Sequence, residues 1–332
     1  MESKKRSESN SIRTAVTEQF SIKYPIICAP MFLVSSVKLV VAASEAGGIG
    51  TFPALNYRPI EKYQRTIQEI KSQTEKPIGI NIIVQKTNKY QHQQLEIALE
   101  EKIPLIITSL GSPREVVRKA HEAGTKVYCD VVGIEHAKKV ADLGADGLIA
   151  VSVGAGGHAG EITPFALIPD LVEQTDLPVV ASGSIVDGIG MAAAFSLGAS
   201  AIYMGTRFIA SKEAEVDESY KKAILDSHYS DIVNTDKVDG FPGNFIRNAA
   251  LERVGLEKGI FEEILSRSKR VKKWISLSRA AKSLLGDVNS KVSYKIVYSA
   301  GQGVGLIEEI QSVKEIMDST VRQYQAVKEK LP

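Results

Sequence analysis

Residues 126–160 read KVYCDVVGIEHAKKVADLGADGLIAVSVGAGGHAG, and the order of elements in this stretch decides the fold. A largely apolar run, Lys126 to Val132, is followed by a helical pattern over Glu135 to Leu143. Gly144 then stops the helix, and a second apolar run spans Gly147 to Val153. Neither run shows the in-out alternation of a half-exposed strand, so each reads as a parallel strand covered on both faces. Glycine takes up the left-handed backbone that ends a helix. The unit is therefore strand, helix, glycine stop, strand, which joins two parallel strands by a crossover.

The same unit recurs in both directions. Further apolar runs occupy 25–29, 48–52, 77–84, 104–110, 178–183 and 201–208. Helical patterns lie between them at 37–46, 58–71, 91–101, 113–123 and 187–197, several closed by glycine at Gly47, Gly124 and Gly198. Eight such runs predict an α/β fold, a (β/α)8 TIM barrel; an open doubly wound sheet is the alternative. A barrel takes about 250 residues, whereas the chain has 332. The surplus follows the eighth run. Residues 211–297 read as polar and helical with no clear strand, broken at Gly240-Phe241-Pro242-Gly243, with a basic amphipathic segment from Ser266 to Leu285. Tyr298 to Gly305 then opens a last helix. The expected organisation is a flexible tail over 1–19, a barrel from 20–210 with 298–332, and a helical insertion at 211–297 covering the active site.

Composition narrows the partners. Forty-one Lys and Arg face 39 Asp and Glu, a net charge of +2, which is too small to bind a polyanion. Nucleic acid is excluded as a partner, and no apolar run is long enough to span a bilayer. Cys28 and Cys129 both sit in apolar runs, as reduced core thiols of a cytoplasmic protein would. The polar N-terminus carries no secretory apolar segment.

Active sites of such barrels lie at the C-terminal ends of the strands. That rule selects the loop Gly154-Ala155-Gly156-Gly157-His158-Ala159-Gly160, where one imidazole projects from a bed of glycines. The other histidines, His92, His121, His136 and His228, fall on helical stretches. Ser182-Gly183-Ser184 and Gly205-Thr206 end the last two runs, where barrels of this type hold phosphate through backbone N–H groups. Asp130 and Glu161 are scattered acids. No zinc spacing and no Walker-type loop occurs, so a phosphorylated cofactor held by uncharged donors is favoured and no metal is expected.

Six segments taken together resemble the flavin-dependent nitronate monooxygenases, once called 2-nitropropane dioxygenases. They are Pro25 to Met31, Ser44 to Gly50, Gly79-Ile80-Asn81, Ala155 to Gly160, Val180 to Ile185 and Met204 to Phe208, with Ala300-Gly301-Gln302 following. The resemblance implies one FMN at the top of the barrel. Ala29 and Met31 would line the isoalloxazine, Asn81 would hydrogen-bond it, and Gly156 and Gly157 would let it approach. Gly183, Ser184, Gly205 and Thr206 would hold the phosphate, and Gln302 would close the site. His158 matches the family's catalytic histidine. One position departs from the pattern: many members carry an acidic or amide side chain where this chain has Gly154. The implied reaction is oxidation of an alkyl nitronate by O2 to a carbonyl compound and nitrite, in a chain that acts alone or as a homodimer. The rivals are a flavin-dependent enoyl-acyl-carrier-protein reductase using NAD(P)H, whose acidic carrier protein the basic segment would steer, and a non-redox phosphate-binding barrel isomerase.

Overall fold

Strand β1 (Ile26–Cys28) pairs in parallel with β2 (Ile49–Pro53) on one side and with the last barrel strand on the other, which closes the sheet on itself. The computed structural model describes residues 11–85, 87–238, 240–254 and 296–330. The remaining barrel strands are β3 (Ile78–Ile83), β4 (Leu105–Ser109), β5 (Lys126–Val131), β6 (Gly147–Val151), β8 (Val179–Ser182) and β9 (Ala201–Met204). The short β7 (Gly157–His158) stands outside the ring, whose order is β1-β2-β3-β4-β5-β6-β8-β9. All neighbouring pairs in the ring are parallel. The barrel is therefore the eight-stranded one that the repeated unit predicts. No helix among the described residues is long and apolar enough to cross a membrane.

Alternate strand positions fill the barrel interior. Ile27, Ile49, Leu105, Ile107, Tyr128, Ile149, Val180 and Ala201 form one buried cluster, while the residues between them face the helices in a second and larger one. The first of those helices does not bridge two strands. Helix α1 (Ala15–Phe20) is capped by Thr14 and buries Val16 and Phe20 in the interior cluster, with the Phe20 ring edge-on to Tyr128 at 5.7 Å. It closes the N-terminal end of the barrel, so the expectation of a loose tail as far as residue 19 fails from Thr14 onward. The reason is tertiary: an open barrel end exposes Tyr128 and Ile27, and covering them with two large side chains gains roughly 1.5–3 kcal/mol for each. Residues 1–10 lie outside the described residues.

The outer helices follow the sequence pattern closely, except for the helix over Pro164–Gln174, which that pattern did not mark. They are α2 (Val37–Glu45), α3 (Ile60–Gln73), α4 (Gln91–Glu100), α5 (Arg114–Glu122), α6 (Ile134–Ala141), α7 (Pro164–Gln174) and α8 (Gly188–Ser196). In α5 the buried residues Val116, Val117 and Ala120 lie on one stripe of a charged helix. Ser36 and Asp187 cap α2 and α8 by accepting from the N–H groups of Leu39 and Gly190.

Three expectations after the seventh unit change. The eighth run was expected to continue to Phe208, but β9 ends at Met204 and the chain turns into the single-turn α9 (Thr206–Ile209), burying Arg207. The region after it is not purely helical. Beyond α10 (Glu218–Asp226) come β10 (Ile232–Thr235) and β11 (Gly243–Ile246), then α11 (Ala249–Val254). The antiparallel order β10-β11-β7 ties this region to the barrel's own loop. Four-residue strands carry too little periodicity to stand out among polar neighbours, and pairing with β7 supplies what the local sequence lacks. Finally, Gln302–Leu306 is a tight 3-10 turn, and the closing helix α12 (Val313–Lys330) begins only at Val313, where it packs on α8. The basic segment from Ser266 to Leu285 lies outside the described residues.

Candidate active site

The loop that carries His158 is held from three directions. Its start is fixed from below, where the Val153 N–H donates to the Ile162 carbonyl at 2.8 Å. On one side the Gly154 carbonyl accepts from the Gln302 N–H at 2.9 Å and from Ser184 Oγ at 3.3 Å. From above, Asn244 Nδ2 donates to the Ala155 carbonyl at 2.7 Å, and Asn234 Nδ2 donates to Asn244 Oδ1 at 2.9 Å. β7 then pairs with β11, placing His158 opposite Gly243, and the Phe241 ring stands edge-on to the imidazole at 5.6 Å. The imidazole itself remains exposed at the mouth. Asn244, Asn234 and Phe241 were not anticipated. Their one signal was the Gly240-Phe241-Pro242-Gly243 turn, which separates two short strands as a hairpin turn does.

The glycines of this loop divide by role. Gly154 has φ +86, and a Cβ there would lie 2.4 Å from Ser184 Oγ and 3.0 Å from Gln302 Oε1. The polar side chain common at this position in the resembled family is thus replaced by space that Ser184 and Gln302 occupy. Gly156 is required by its own chain: a Cβ would meet Gly301 N at 2.9 Å and the Ala300 carbonyl carbon at 3.0 Å. Gly157, by contrast, has φ +68 with open space beside it, as a residue that admits a flat ligand needs.

The two strand-end turns meet on one side of the mouth. Gly183 and Ser184 follow β8 with φ of +121 and +56, and Gly205 follows β9. The N–H groups of Gly183, Ser184 and Gly205 donate to no backbone carbonyl among the described residues. Three unspent donors on adjacent turns suit an anion such as a phosphate monoester. Thr206 Oγ1 accepts from the Gly301 N–H at 2.9 Å, tying the late segment 300–302 to the cradle. Arg207 points away from the mouth, with Nη1 donating to the Glu309 carbonyl at 3.2 Å and Nη2 to Gln311 Oε1 at 2.6 Å.

Across the barrel a polar chain runs over three strands. Asn81 Nδ2 donates to Ser109 Oγ at 2.7 Å, and Ser109 Oγ donates to Asp130 Oδ2 at 2.5 Å. Burial pushes the Asp130 carboxyl up to about 6, against the pull of that hydrogen bond. Ala29 and Met31 complete the first-strand side: Ala29 N donates to the Met204 carbonyl at 2.9 Å, and Met31 N donates to Ser35 Oγ at 2.9 Å. A Cβ on Gly205 would stand 3.5 Å from Met31 Sδ. Cys28 and Cys129 are buried, and burial raises both thiols, Cys129 to about 11, so neither is a nucleophile at neutral pH. The candidate cofactor and catalytic residues thus fall at or just after the C-terminal halves of the strands: Ala29 and Met31 after β1, Asn81, Ser109 and Asp130 in β3 to β5, the histidine loop after β6, and the Gly183-Ser184 and Gly205 turns after β8 and β9.

The sequence profile of the nitronate monooxygenase family matches residues 13–323. The chain belongs to that family. It is 29% identical to the (3aS,4S,5R,7aS)-5-hydroxy-7a-methyl-1-oxo-octahydro-1H-indene-4-carboxyl-CoA dehydrogenase of Rhodococcus jostii, over 94% of this chain and 96% of that one. FabK from Thermotoga maritima superposes with a TM-score of 0.81 and 33% identity, covering 96% of this chain and 98% of FabK. A nitroalkane oxidase from Streptomyces ansochromogenes superposes with a TM-score of 0.77 and 25% identity, covering 96% of this chain and all of the other (100%). As a family member the protein is a flavin-dependent oxidoreductase, and the mouth fits such a group: an anion cradle on one side, polar groups on the other and open space at Gly157 between them.

Proposed function

We propose that the protein uses FMN to oxidise alkyl nitronates with O2, two nitronate anions and one O2 giving two carbonyl compounds and two nitrite ions. The observation that carries the reading is the placement of His158, whose exposed imidazole is held at the mouth by the pairing of β7 with β11. The N–H groups of Gly183, Ser184 and Gly205 would hold the phosphate, with Ala29, Met31, Asn81 and Gly157 around the ring and Gln302 closing the side. When bound, the flavin supplies the electron-accepting and O2 chemistry. His158 accepts the α-proton of a neutral nitroalkane, forming the nitronate in place, while the Phe241 ring shields the imidazole from bulk water on one edge. The similarity to a nitroalkane oxidase supports this substrate class.

A second reading is an acyl thioester substrate. It is supported by the comparable identity, 29% over 94% of the chain, to a dehydrogenase of a carboxyl-CoA. Anaerobic mixing of the purified flavoprotein with a nitronate and, separately, with NADH decides between them. Rapid bleaching of the flavin by the nitronate is the expected result. Bleaching by NADH, with none by the nitronate, would overturn it in favour of an NAD(P)H-dependent reductase of an acyl thioester.

A further inference from the structure

Three large apolar side chains stand in water beside the loop of His158. Val132, Ile162 and Phe165 keep 48%, 39% and 72% of their surface exposed. A single exposed apolar residue is ordinary on any protein, whereas a strip of them next to an active site marks something that docks there. Val132 follows directly on β5, in phase with Tyr128 of the barrel interior and with Asp130 of the polar chain, so it belongs to the mouth rather than to the helix side. Ile162 ends the histidine loop, where its carbonyl accepts from the Val153 N–H at 2.8 Å.

The loops that carry these residues cross closely. A Cβ on Gly160 would lie 3.4 Å from Val132 Cβ, and one on Gly133 would lie 3.7 Å from Ile162 Cδ1. Val132 and Ile162 therefore flank one crossing, and Phe165 prolongs the strip outward from the first turn of α7. Gly160 is two residues from His158 along the same loop, and two residues span at most about 7 Å. With bonds of about 1.5 Å, a chain on the order of six carbons covers that distance. A methyl or ethyl substituent on a carbon held at His158 stays short of the strip, whereas an extended chain or a fused ring reaches it. The strip is continuous with the loop that holds the imidazole, so its occupant is part of the same substrate.

We propose that Val132 and Ile162, with Phe165 at the outer end, determine specificity by seating an uncharged, extended alkyl or ring substituent of the substrate while its reacting carbon stays at His158. The proposal rests on the nitronate reading above and names the nitronates that the site favours, those whose apolar part has on the order of six carbons or more. Each methylene that moves from water onto the strip should raise kcat/KM by up to about fourfold. The gain falls short of that limit because the strip covers one side of the chain only.

The test measures kcat/KM by O2 consumption for the primary nitronates of propane, hexane and octane. In the unaltered flavoprotein the octane nitronate should exceed the propane one by about 10- to 100-fold. The double variant Val132→Thr, Ile162→Thr keeps both side chains branched at Cβ but makes them polar, and the ratio should fall about tenfold, through KM rather than kcat. Ile189→Thr, which changes a comparably exposed isoleucine on α8, should leave the ratio as it is. Phe165→Ser should lower the octane value more than the hexane value, since only the longer chain reaches the outer end. A ratio near one in the unaltered protein, or an unchanged ratio in the double variant, would overturn the proposal with the nitronate chemistry intact. If that double variant also turns from dimer to monomer in light scattering, the strip belongs to a second copy of the chain. Absence of turnover with all three nitronates would instead overturn the nitronate reading, and the proposal with it.

Discussion

The side-chain amide of Asn244 donates to the carbonyl of Ala155 at 2.7 Å, a bond between residues 89 positions apart in sequence. Through it, the segment that follows the eighth barrel strand sets the backbone of the loop that carries His158. Asn244 is itself 3% exposed and is oriented by Asn234, so the link is shielded from water and its geometry is narrow. The histidine is thus placed jointly by a barrel strand and by a hairpin added to the barrel.

Asn244→Ala should therefore separate positioning from folding. Removing the amide strands the Ala155 carbonyl, at a cost of about 1–3 kcal/mol of stability. Since the barrel core is untouched, the variant should still fold and retain flavin. Turnover should fall by about tenfold or more as the imidazole loses its register. Thermal melting, flavin content and kcat measured on one preparation check all three; full activity would mean that the hairpin does not set the loop.

Gly154→Ala addresses the departure from the family's usual side chain. The new Cβ would lie 2.4 Å from Ser184 Oγ on a backbone at φ +86, so strain and collision act together. The expected loss is about 1–3 kcal/mol in denaturant unfolding. Ser184 and Gln302 must move aside, so flavin should also be bound more weakly, as measured by dialysis against buffer.

His158→Ala should leave the flavin spectrum unchanged. Turnover of a neutral nitroalkane should drop by about 10²- to 10⁴-fold, the usual worth of a general base. Turnover of a preformed nitronate, which has no α-proton to lose, should fall far less. Steady-state O2 consumption with the two substrate forms gives the comparison, and equal losses would exclude the base role.

Asp130 has a pH signature of its own in the flavin-free protein. Its carboxyl is pushed up to about 6 by burial, whereas an unfolded aspartate titrates near 3.9. Between those values the native state binds more protons than the unfolded state, so this residue's contribution to stability declines as pH rises. Relative to Asp130→Asn, the unaltered protein should lose about 2 kcal/mol between pH 4 and pH 7, somewhat below the full shift because part of the side chain reaches solvent. Urea midpoints of both proteins at several pH values would show it; a constant difference would count against the raised carboxyl.

Much of the barrel was legible because each of its units is local. An apolar run, a capped amphipathic helix and a glycine stop lie within about thirty residues of one another, and their spacing carries the 2.0 and 3.6 periods that define strand and helix. The strand-end rule then selects His158, Asn81, Gly183 and Gly205 with no further information. The eighth run, read on to Phe208, misled at Gly205, where the backbone turns into α9.

The sequence by itself determined the parallel barrel, its closing glycines and the loop from which a histidine projects. Tertiary structure decided what holds that loop and what completes the mouth. Helix α1 becomes a plug only because the closed barrel exposes Tyr128 and Ile27 at one end. β11 becomes a strand of the site only by pairing with β7. Asn81, Ser109 and Asp130 form a chain only because parallel strands bring residues up to 49 positions apart side by side. The physical reason is common to all three: a lone Asn, Phe or Asp carries no period of its own, and its role is created by the partner that folding places in contact with it.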